Sequence, residues 1–161
     1  MNAPKILMGA AIISLAGCAT DYPPPPPPPY EVAGAALVTT ANKAPFGTYL
    51  VDGAGRALYI LEGQRHHAGM DRCMGECLAV WPPLHSSGPP TAGGTVDAAR
   101  LGTMTIHGAP HVTYAGWPLY YYVRDRAPGD TAGQHYTDRW GTWHLLSPNG
   151  EPIRPVGTSG Y

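Results

Sequence analysis

The content of glycine and proline is the feature that most limits the regular structure available to this chain. The 161 residues include 21 glycines and 19 prolines. Both residue types destabilise helix interiors, glycine by about 1 kcal/mol and proline by about 3 kcal/mol. Tyrosine, valine, threonine, tryptophan and leucine are concentrated in short runs between these turn formers, which is typical of β-strands. The sequence therefore predicts an all-β fold with a small helical content.

Several runs are arranged as a strand, a turn and a second strand. Three such units occur, at residues 48–61, 111–123 and 143–156. Asp-Gly and Asn-Gly turns are strong hairpin signals because they tolerate positive φ angles. The first two units resemble each other, since each runs from a strand through a glycine turn to a Leu-Tyr pair that ends at Tyr59 or Tyr120. We expect two duplicated β-hairpin modules packed into one compact sheet or sandwich.

The amino terminus has the organisation of a bacterial lipoprotein signal peptide. Lys5 precedes an apolar run over residues 6–16, and residues 15–18 read Leu-Ala-Gly-Cys. The run is shorter than the roughly 20 apolar residues that a membrane span needs, and it is typical of a secretory signal. Residues 15–18 resemble a lipobox, which implies cleavage after residue 17. It also implies attachment of a diacylglyceryl group and fatty acyl chains such as palmitate to Cys18.

The residues after Cys18 predict a tether and then one folded domain. Residues 23–29 are seven consecutive prolines, which hold an extended polyproline II conformation of roughly 20 Å. We assign residues 1–17 to the signal peptide, 18–42 to the lipidated cysteine and tether, and 43–161 to a β-rich domain. Ala19 follows the lipidated cysteine, which favours the outer membrane facing the periplasm in a Gram-negative cell. The net charge of −1 argues against nucleic acid as a partner.

One motif gives the domain a family resemblance. Tyr120 and Asp125 form a Tyr-x4-Asp motif, and residues 75–84 contain a Trp-Pro-Pro-Leu sequence. With the Gly-Thr-Trp at residues 141–143, these features resemble the bacterial secreted-repeat lipoprotein family over about residues 46–150. The resemblance implies an envelope location and no known reaction. In the first repeat Gln64 occupies the position of the acid, so a role for the motif acid can rest only on Asp125.

The domain contains one pair of cysteines and a nearby group of metal-ligand side chains. Cys73 and Cys77 are separated by three residues, and outside the cytoplasm such a pair predicts a structural disulfide. A redox-active pair is an alternative, although the usual dithiol spacing is two residues. His66, His67 and Met70 precede the cysteines and supply ligand types that copper or haem takes. We favour an exposed loop over a metal site here.

The motif acid and the three tyrosines before it need an interpretation of their own. Asp125 follows a strand, and we expect it to accept hydrogen bonds from the backbone of the turn at residues 127–130. Ligand binding is the alternative role. Along a strand Tyr120 and Tyr122 share one face and Tyr121 lies on the other. One face should belong to the core, and the other could present aromatic rings to a glycan or an apolar partner.

The sequence contains no catalytic signature. It lacks a Gly-x-Ser-x-Gly nucleophile elbow, a glycine-rich phosphate loop and a His-Glu-x-x-His zinc motif. We therefore expect a lipid-anchored cell-envelope lipoprotein that is not an enzyme, needs no cofactor and serves as a binding or structural module. Its expected partners are the membrane, through the anchor, and possible envelope proteins. The alternatives are a periplasmic copper- or haem-binding lipoprotein and a thiol redox protein.

Overall fold

A computed structural model describes residues 34–106 and 108–155 of the chain. Cys18, the proline run and His107 lie outside the described residues. In chain order the elements are β1 (Leu37–Lys43), β2 (Gly47–Asp52), β3 (Tyr59–Leu61), α1 (Glu76–Val80), β4 (Thr91–Ala92), a 3₁₀ turn (Ala98–Arg100), β5 (Leu101–Ile106), β6 (Ala109–Tyr114), β7 (Trp117–Pro118), β8 (Thr137–Asp138) and β9 (Gly141–Leu145).

The strands form three small sheets, ordered β2-β1-β4, β3-β9-β8 and β5-β6-β7. All pairings within them are antiparallel except that of β1 with β4. Helix is confined to α1 and the 3₁₀ turn in the described part of the chain, so the prediction of an all-β fold is confirmed. No helix within residues 34–106 and 108–155 has the length and hydrophobicity needed to span a membrane.

The boundary between tether and domain lies earlier than the sequence predicted. Residues 37–42, which we assigned to the tether, belong to β1, the central strand of its sheet. β1 pairs with β2 over six residue pairs, from Val38 opposite Asp52 to Lys43 opposite Gly47. Small residues in this segment suggested a linker, but Val38 is fully buried and ladder hydrogen bonds hold the backbone. The folded unit therefore includes residues before Lys43.

The two similar sequence units fold alike around their turns. In the first, Leu58 donates its backbone N–H to the carbonyl of Leu50 at 3.0 Å, and in the second Leu119 donates to Val112 at the same distance. Each unit also has a preceding strand, β1 or β5, which pairs with β2 or β6. The sequence did not predict these preceding strands. It also placed residues 56–61 entirely against the first strand, whereas β3 leaves that strand and pairs with β9.

The two repeats meet at their equivalent tyrosines. Tyr59 and Tyr120 exchange two backbone hydrogen bonds, N–H to carbonyl in each direction, at 2.8 and 2.9 Å. Tyr59 also lies opposite Leu145, and Tyr120 lies opposite Pro83. A Trp-x-x-Leu sequence occurs twice, at residues 81–84 and 143–146. Pro83 and Leu145 are equivalent, because each directly precedes the leucine of its sequence. The contacts of one repeat are therefore repeated by the other, as expected for an approximate two-fold arrangement.

Two apolar clusters form the core, and alternate residues from Leu58 to Leu61 belong to one cluster and then the other. The first gathers mainly aliphatic side chains around Leu58 and Leu119. The second is largely aromatic and contains Tyr59, Tyr120 and the disulfide cysteines. Both clusters draw on both repeats, so burial of apolar surface ties the repeats together.

Candidate functional site

The candidate site is a pair of crossed hydrogen bonds between the repeats. Its four members are Tyr59, Gln64, Tyr120 and Asp125, and all four are buried. Tyr59 and Tyr120 occupy equivalent positions in the two repeats, and Gln64 and Asp125 each follow their tyrosine by five residues. Each tyrosine hydroxyl donates to the fifth-position side chain of the other repeat. We call these two contacts the crossed tyrosine pairs.

The first crossed pair joins Tyr59 to the motif acid. The Tyr59 hydroxyl donates to Oδ2 of Asp125 at 2.6 Å, and the N–H of Ala132 donates to Oδ1 at 2.8 Å. Burial is the largest influence on Asp125 and raises the pKa of its carboxyl, while the two hydrogen bonds act in the opposite direction. Burial and the neighbouring carboxylate also raise the pKa of Tyr59 far above its ordinary value. Tyr59 therefore remains a proton donor at any physiological pH.

The second crossed pair replaces the acid by an amide. The Tyr120 hydroxyl donates to Oε1 of Gln64 at 3.1 Å. Burial is the larger influence and raises the pKa of Tyr120 to about 12, while the hydrogen bond to Gln64 acts in the opposite direction. Nε2 of Gln64 is buried and has no hydrogen-bond partner among the described residues. The first repeat thus keeps the contact of the motif without its charge.

Tryptophan rings from both repeats stack directly beside the crossed pairs. Trp81 and Trp143 lie 3.9 Å apart between ring centroids with an interplanar angle of 9°, and Tyr122 stacks on the other face of Trp81 at 4.2 Å. Both indole N–H groups donate to Oδ2 of Asp138, at 2.9 and 3.1 Å. One carboxylate therefore fixes the two central rings of the aromatic cluster.

The surroundings of Asp125 differ from the prediction. We expected Asp125 to accept hydrogen bonds from the turn at residues 127–130. Instead Asp130 caps that turn, accepting from the N–H groups of Arg126 and Ala127 at 2.8 and 2.9 Å. The Asp125 side chain points inward, where its two oxygens accept hydrogen bonds from Tyr59 and Ala132. The motif acid is thus directed toward the other repeat.

The three consecutive tyrosines alternate between the two apolar clusters. Tyr120 and Tyr122 lie in the aromatic cluster and Tyr121 in the aliphatic one, as the strand period predicts. All three are at least 98% buried, so neither face presents their rings to an outside partner. The Tyr121 hydroxyl donates to Oδ2 of Asp52 at 3.0 Å, and the same oxygen accepts from Nε and Nη2 of Arg56 at 3.1 and 3.0 Å. A shallow cleft of about 270 Å³ opens beside these three side chains.

The predicted disulfide is present in the structure. Cys73 and Cys77 are bonded, with their Cα atoms 5.1 Å apart, and Cys77 lies in the first turn of α1. Both residues are buried in the aromatic cluster beside Trp81. The bridge therefore fixes the chain where it enters the core.

The three candidate metal ligands lie near the surface. His66 and His67 are exposed and Met70 is partly exposed. The cysteines of the same segment are joined to each other and buried. Within residues 34–106 and 108–155 no three side chains of His, Cys, Asp or Glu converge as a metal site would require.

Two site residues, Gln64 and Asp138, were not identified as functional from the sequence. The sequence signal for Gln64 is the internal repeat, because Gln64 follows Tyr59 by five residues just as Asp125 follows Tyr120. Asp138 had no sequence signal, because its two tryptophan partners are 57 and 5 residues away.

Fold and site define an all-β protein built from two interlocked repeats that share one buried motif. A model of the lipoprotein family described as a "secreted repeat of unknown function" matches residues 105–147. This segment contains most of the second repeat, including Tyr120 and Asp125, and the match confirms the resemblance to the secreted-repeat lipoprotein family. No curated protein and no solved structure gives a significant match to the chain.

Proposed function

We propose that this chain is a lipid-anchored module of the bacterial cell envelope that binds or supports other envelope components and catalyses no reaction. The observation that carries the proposal is the burial of the family motif. Tyr59, Tyr120 and Asp125 are all at least 95% buried, and their polar groups bond across the repeats. The motif therefore serves to join the repeats.

The chemistry of the motif acid supports a structural role. A general acid or base must reach a proton on the substrate within about 3 Å. Both oxygens of Asp125 are already engaged, one by Tyr59 and one by Ala132, and the residue is 5% exposed. The raised pKa of this carboxyl has burial as its main cause. A shifted pKa also occurs in structural networks, so it is no evidence of catalysis by itself.

Attachment through Cys18 is the second part of the proposal. Two or more acyl chains give stable membrane anchoring, whereas one chain alone binds reversibly. The described fold begins at residue 34 and the proline run lies at residues 23–29. An extended run there would separate the folded unit from the bilayer surface by roughly 20 Å. Ala19 after the modified cysteine favours the outer membrane in a Gram-negative cell.

Mass spectrometry of the mature amino terminus tests this proposal. The full-length chain is expressed in a bacterial envelope beside a Cys18→Ser variant. We expect the natural chain to begin at a diacylated or triacylated Cys18 and to fractionate with membranes. The variant should remain uncleaved at this site and lack acyl chains. A natural chain that begins at Met1, or that carries a free thiol at Cys18, would overturn the proposal.

Affinity capture of the same material tests the binding role. The lipidated protein is purified from membranes, and co-purifying proteins and bound metals are identified together. A specific envelope protein retained in salt supports a binding module. Stoichiometric copper or haem that is lost in a His66→Ala, His67→Ala double variant would instead support the metal-binding alternative and contradict the proposal.

A further inference from the structure

Strand β5 has a free edge in the described part of the chain. It pairs with β6 over six residue pairs and has no strand on its other side there. Its sequence, Leu-Gly-Thr-Met-Thr-Ile, contains no charged residue and no proline. Natural proteins commonly protect edges with lysine, proline or a bulge, because an open edge can pair with another strand. None of these devices occurs within β5.

The unpaired backbone groups of β5 can be identified from its register. Ala115 donates its N–H to the carbonyl of Arg100 at 2.8 Å, which continues the ladder between β5 and β6. Hydrogen-bonded pairs alternate along an antiparallel ladder, so the even-numbered residues of β5 face β6. The N–H and carbonyl groups of Leu101, Thr103 and Thr105 therefore point away from it. Thr103 and Thr105 are exposed.

The first repeat shows that the equivalent edge accepts a strand. Val38 of β1 pairs with Asp52, the last residue of β2, just as Leu101 pairs with Tyr114, the last residue of β6. β4 lies along the outer edge of β1. There Thr91 donates to the carbonyl of Ala36, and Gly93 donates to that of Val38, both at 2.8 Å. Among residues 34–106 and 108–155, one repeat thus has a covering strand where the other has an open edge.

We propose that the edge of β5 pairs with β5 of a second copy of this chain. This deepens the proposed function, on which it rests, by naming one binding partner of the module. The two strands run antiparallel about a two-fold axis at Thr103, so that Leu101 of one copy lies opposite Thr105 of the other. All three outward residues then exchange hydrogen bonds with their counterparts, about six main-chain bonds in total.

The side chains of β5 suit this self-pairing. Thr103 lies opposite its own counterpart, and cross-strand threonine pairs are favourable. On the opposite face Met104 lies across from Gly102 of the second copy. Gly102 has no side chain, so the partly exposed methionine meets no opposing side chain from that residue. A charged strand that paired with its own copy would place like charges close together. β5 has no charged side chain, so its self-pairing avoids this repulsion.

Cysteine cross-linking in the bacterial envelope tests the pairing and its register. In the proposed dimer the Cα atoms of the two Thr103 residues are about 5.5 Å apart, within the range for a disulfide. Full-length Thr103→Cys should form a covalent dimer on a non-reducing gel. Thr105→Cys should not link to itself, because its two copies lie about 13 Å apart along the strand. Co-expressed Leu101→Cys and Thr105→Cys chains with different tags should link to each other.

Thr48→Cys provides the matched control, since Thr48 is also an exposed strand threonine but belongs to β2. We expect several-fold more dimer from Thr103→Cys than from Thr48→Cys or Thr105→Cys. Equal dimer from all three variants, no dimer from Thr103→Cys, or a link from Thr103→Cys to a different protein would each overturn the pairing. Acylation of Cys18, read by mass spectrometry on the same sample, separates this result from failure of the anchor proposal.

Discussion

Tyr59 and Tyr120 occupy equivalent positions but donate to acceptors of different charge. Tyr59 faces the carboxylate of Asp125, whereas Tyr120 faces the neutral amide of Gln64. A hydrogen bond to a charged group contributes more than one between neutral groups, and a buried charge left without its donor is costly. The pair therefore offers an internal comparison of the motif with and without its acid.

We predict that Tyr59→Phe destabilises the protein more than Tyr120→Phe. The loss in the free energy of unfolding should be about 1.5–3 kcal/mol for Tyr59→Phe and about 0.5–1.5 kcal/mol for Tyr120→Phe. Both substitutions remove one hydroxyl from the same aromatic cluster and leave the ring in place. Urea denaturation of the two variants checks the order. A larger loss for Tyr120→Phe would contradict the role given to the motif acid.

The pH dependence of the same two variants should also differ. Because burial raises the pKa of Asp125 in the folded state, its contribution to stability is fully present below about pH 4. That contribution is lost as the pH rises through the folded-state pKa.

The Tyr59 hydrogen bond lowers the pKa of Asp125. Tyr59→Phe should therefore reduce the free energy of unfolding more at about pH 7 than at about pH 4. The cost of Tyr120→Phe should stay constant, since Gln64 does not ionise. Denaturation at both pH values measures this, and an identical pH dependence would exclude an ionised acceptor for Tyr59.

At the scale of elements, β1 is the strand that determines where the domain begins. It is the central strand of its sheet, between β2 and β4. Removing it would break the ladders on both sides and expose Leu50, which lies in the aliphatic cluster. The strand cannot be replaced by the tether, because proline lacks the N–H that a central strand must donate.

A chain that starts at Gly34 should therefore fold, whereas one that starts at Lys43 should not. The first retains all seven residues of β1 and the second retains only its last one. Far-ultraviolet circular dichroism and cooperative thermal unfolding distinguish the two outcomes. The longer chain serves as the control for loss of the signal peptide and tether. A cooperative transition in both would show that β1 contributes little to the fold.

What the sequence could predict was largely local. Glycine turns and period-two alternation indicated the reversals after β2 and β6, because those signals arise within a few residues. The composition of β1 resembled a linker, and its pairing with β2 on one side and with β4, over 50 residues away, on the other makes it a central strand. The motif suggested a role for Asp125, but its partner Tyr59 is 66 residues distant. Contacts of that range depend on how the repeats pack, which no local pattern specifies.

For the whole molecule, the repeats exchange the strands that complete their sheets. β9 of the second repeat pairs with β3 of the first. In return, Leu84 of the first repeat donates to the carbonyl of Leu119 in the second and accepts from Val112, both at 2.8 Å. Each half therefore contains strands whose partners belong to the other half. The stacked tryptophans add a shared apolar contact at the centre.

We predict that neither half folds alone and that the two halves fold when mixed. Fragments 34–97 and 98–161 divide the chain at the start of the 3₁₀ turn, outside every strand. Alone, the first fragment lacks the acceptor of the Tyr59 hydroxyl and the ring that stacks on Trp81, and the second lacks the acceptor of the Tyr120 hydroxyl and the ring that stacks on Trp143. Mixing should restore both and produce a concentration-dependent shift in tryptophan fluorescence. Mixtures in which one fragment carries Trp81→Ala or Trp143→Ala should associate more weakly. A cooperatively folded single fragment would mean that each repeat is an independent domain, contrary to the exchange of strands between them.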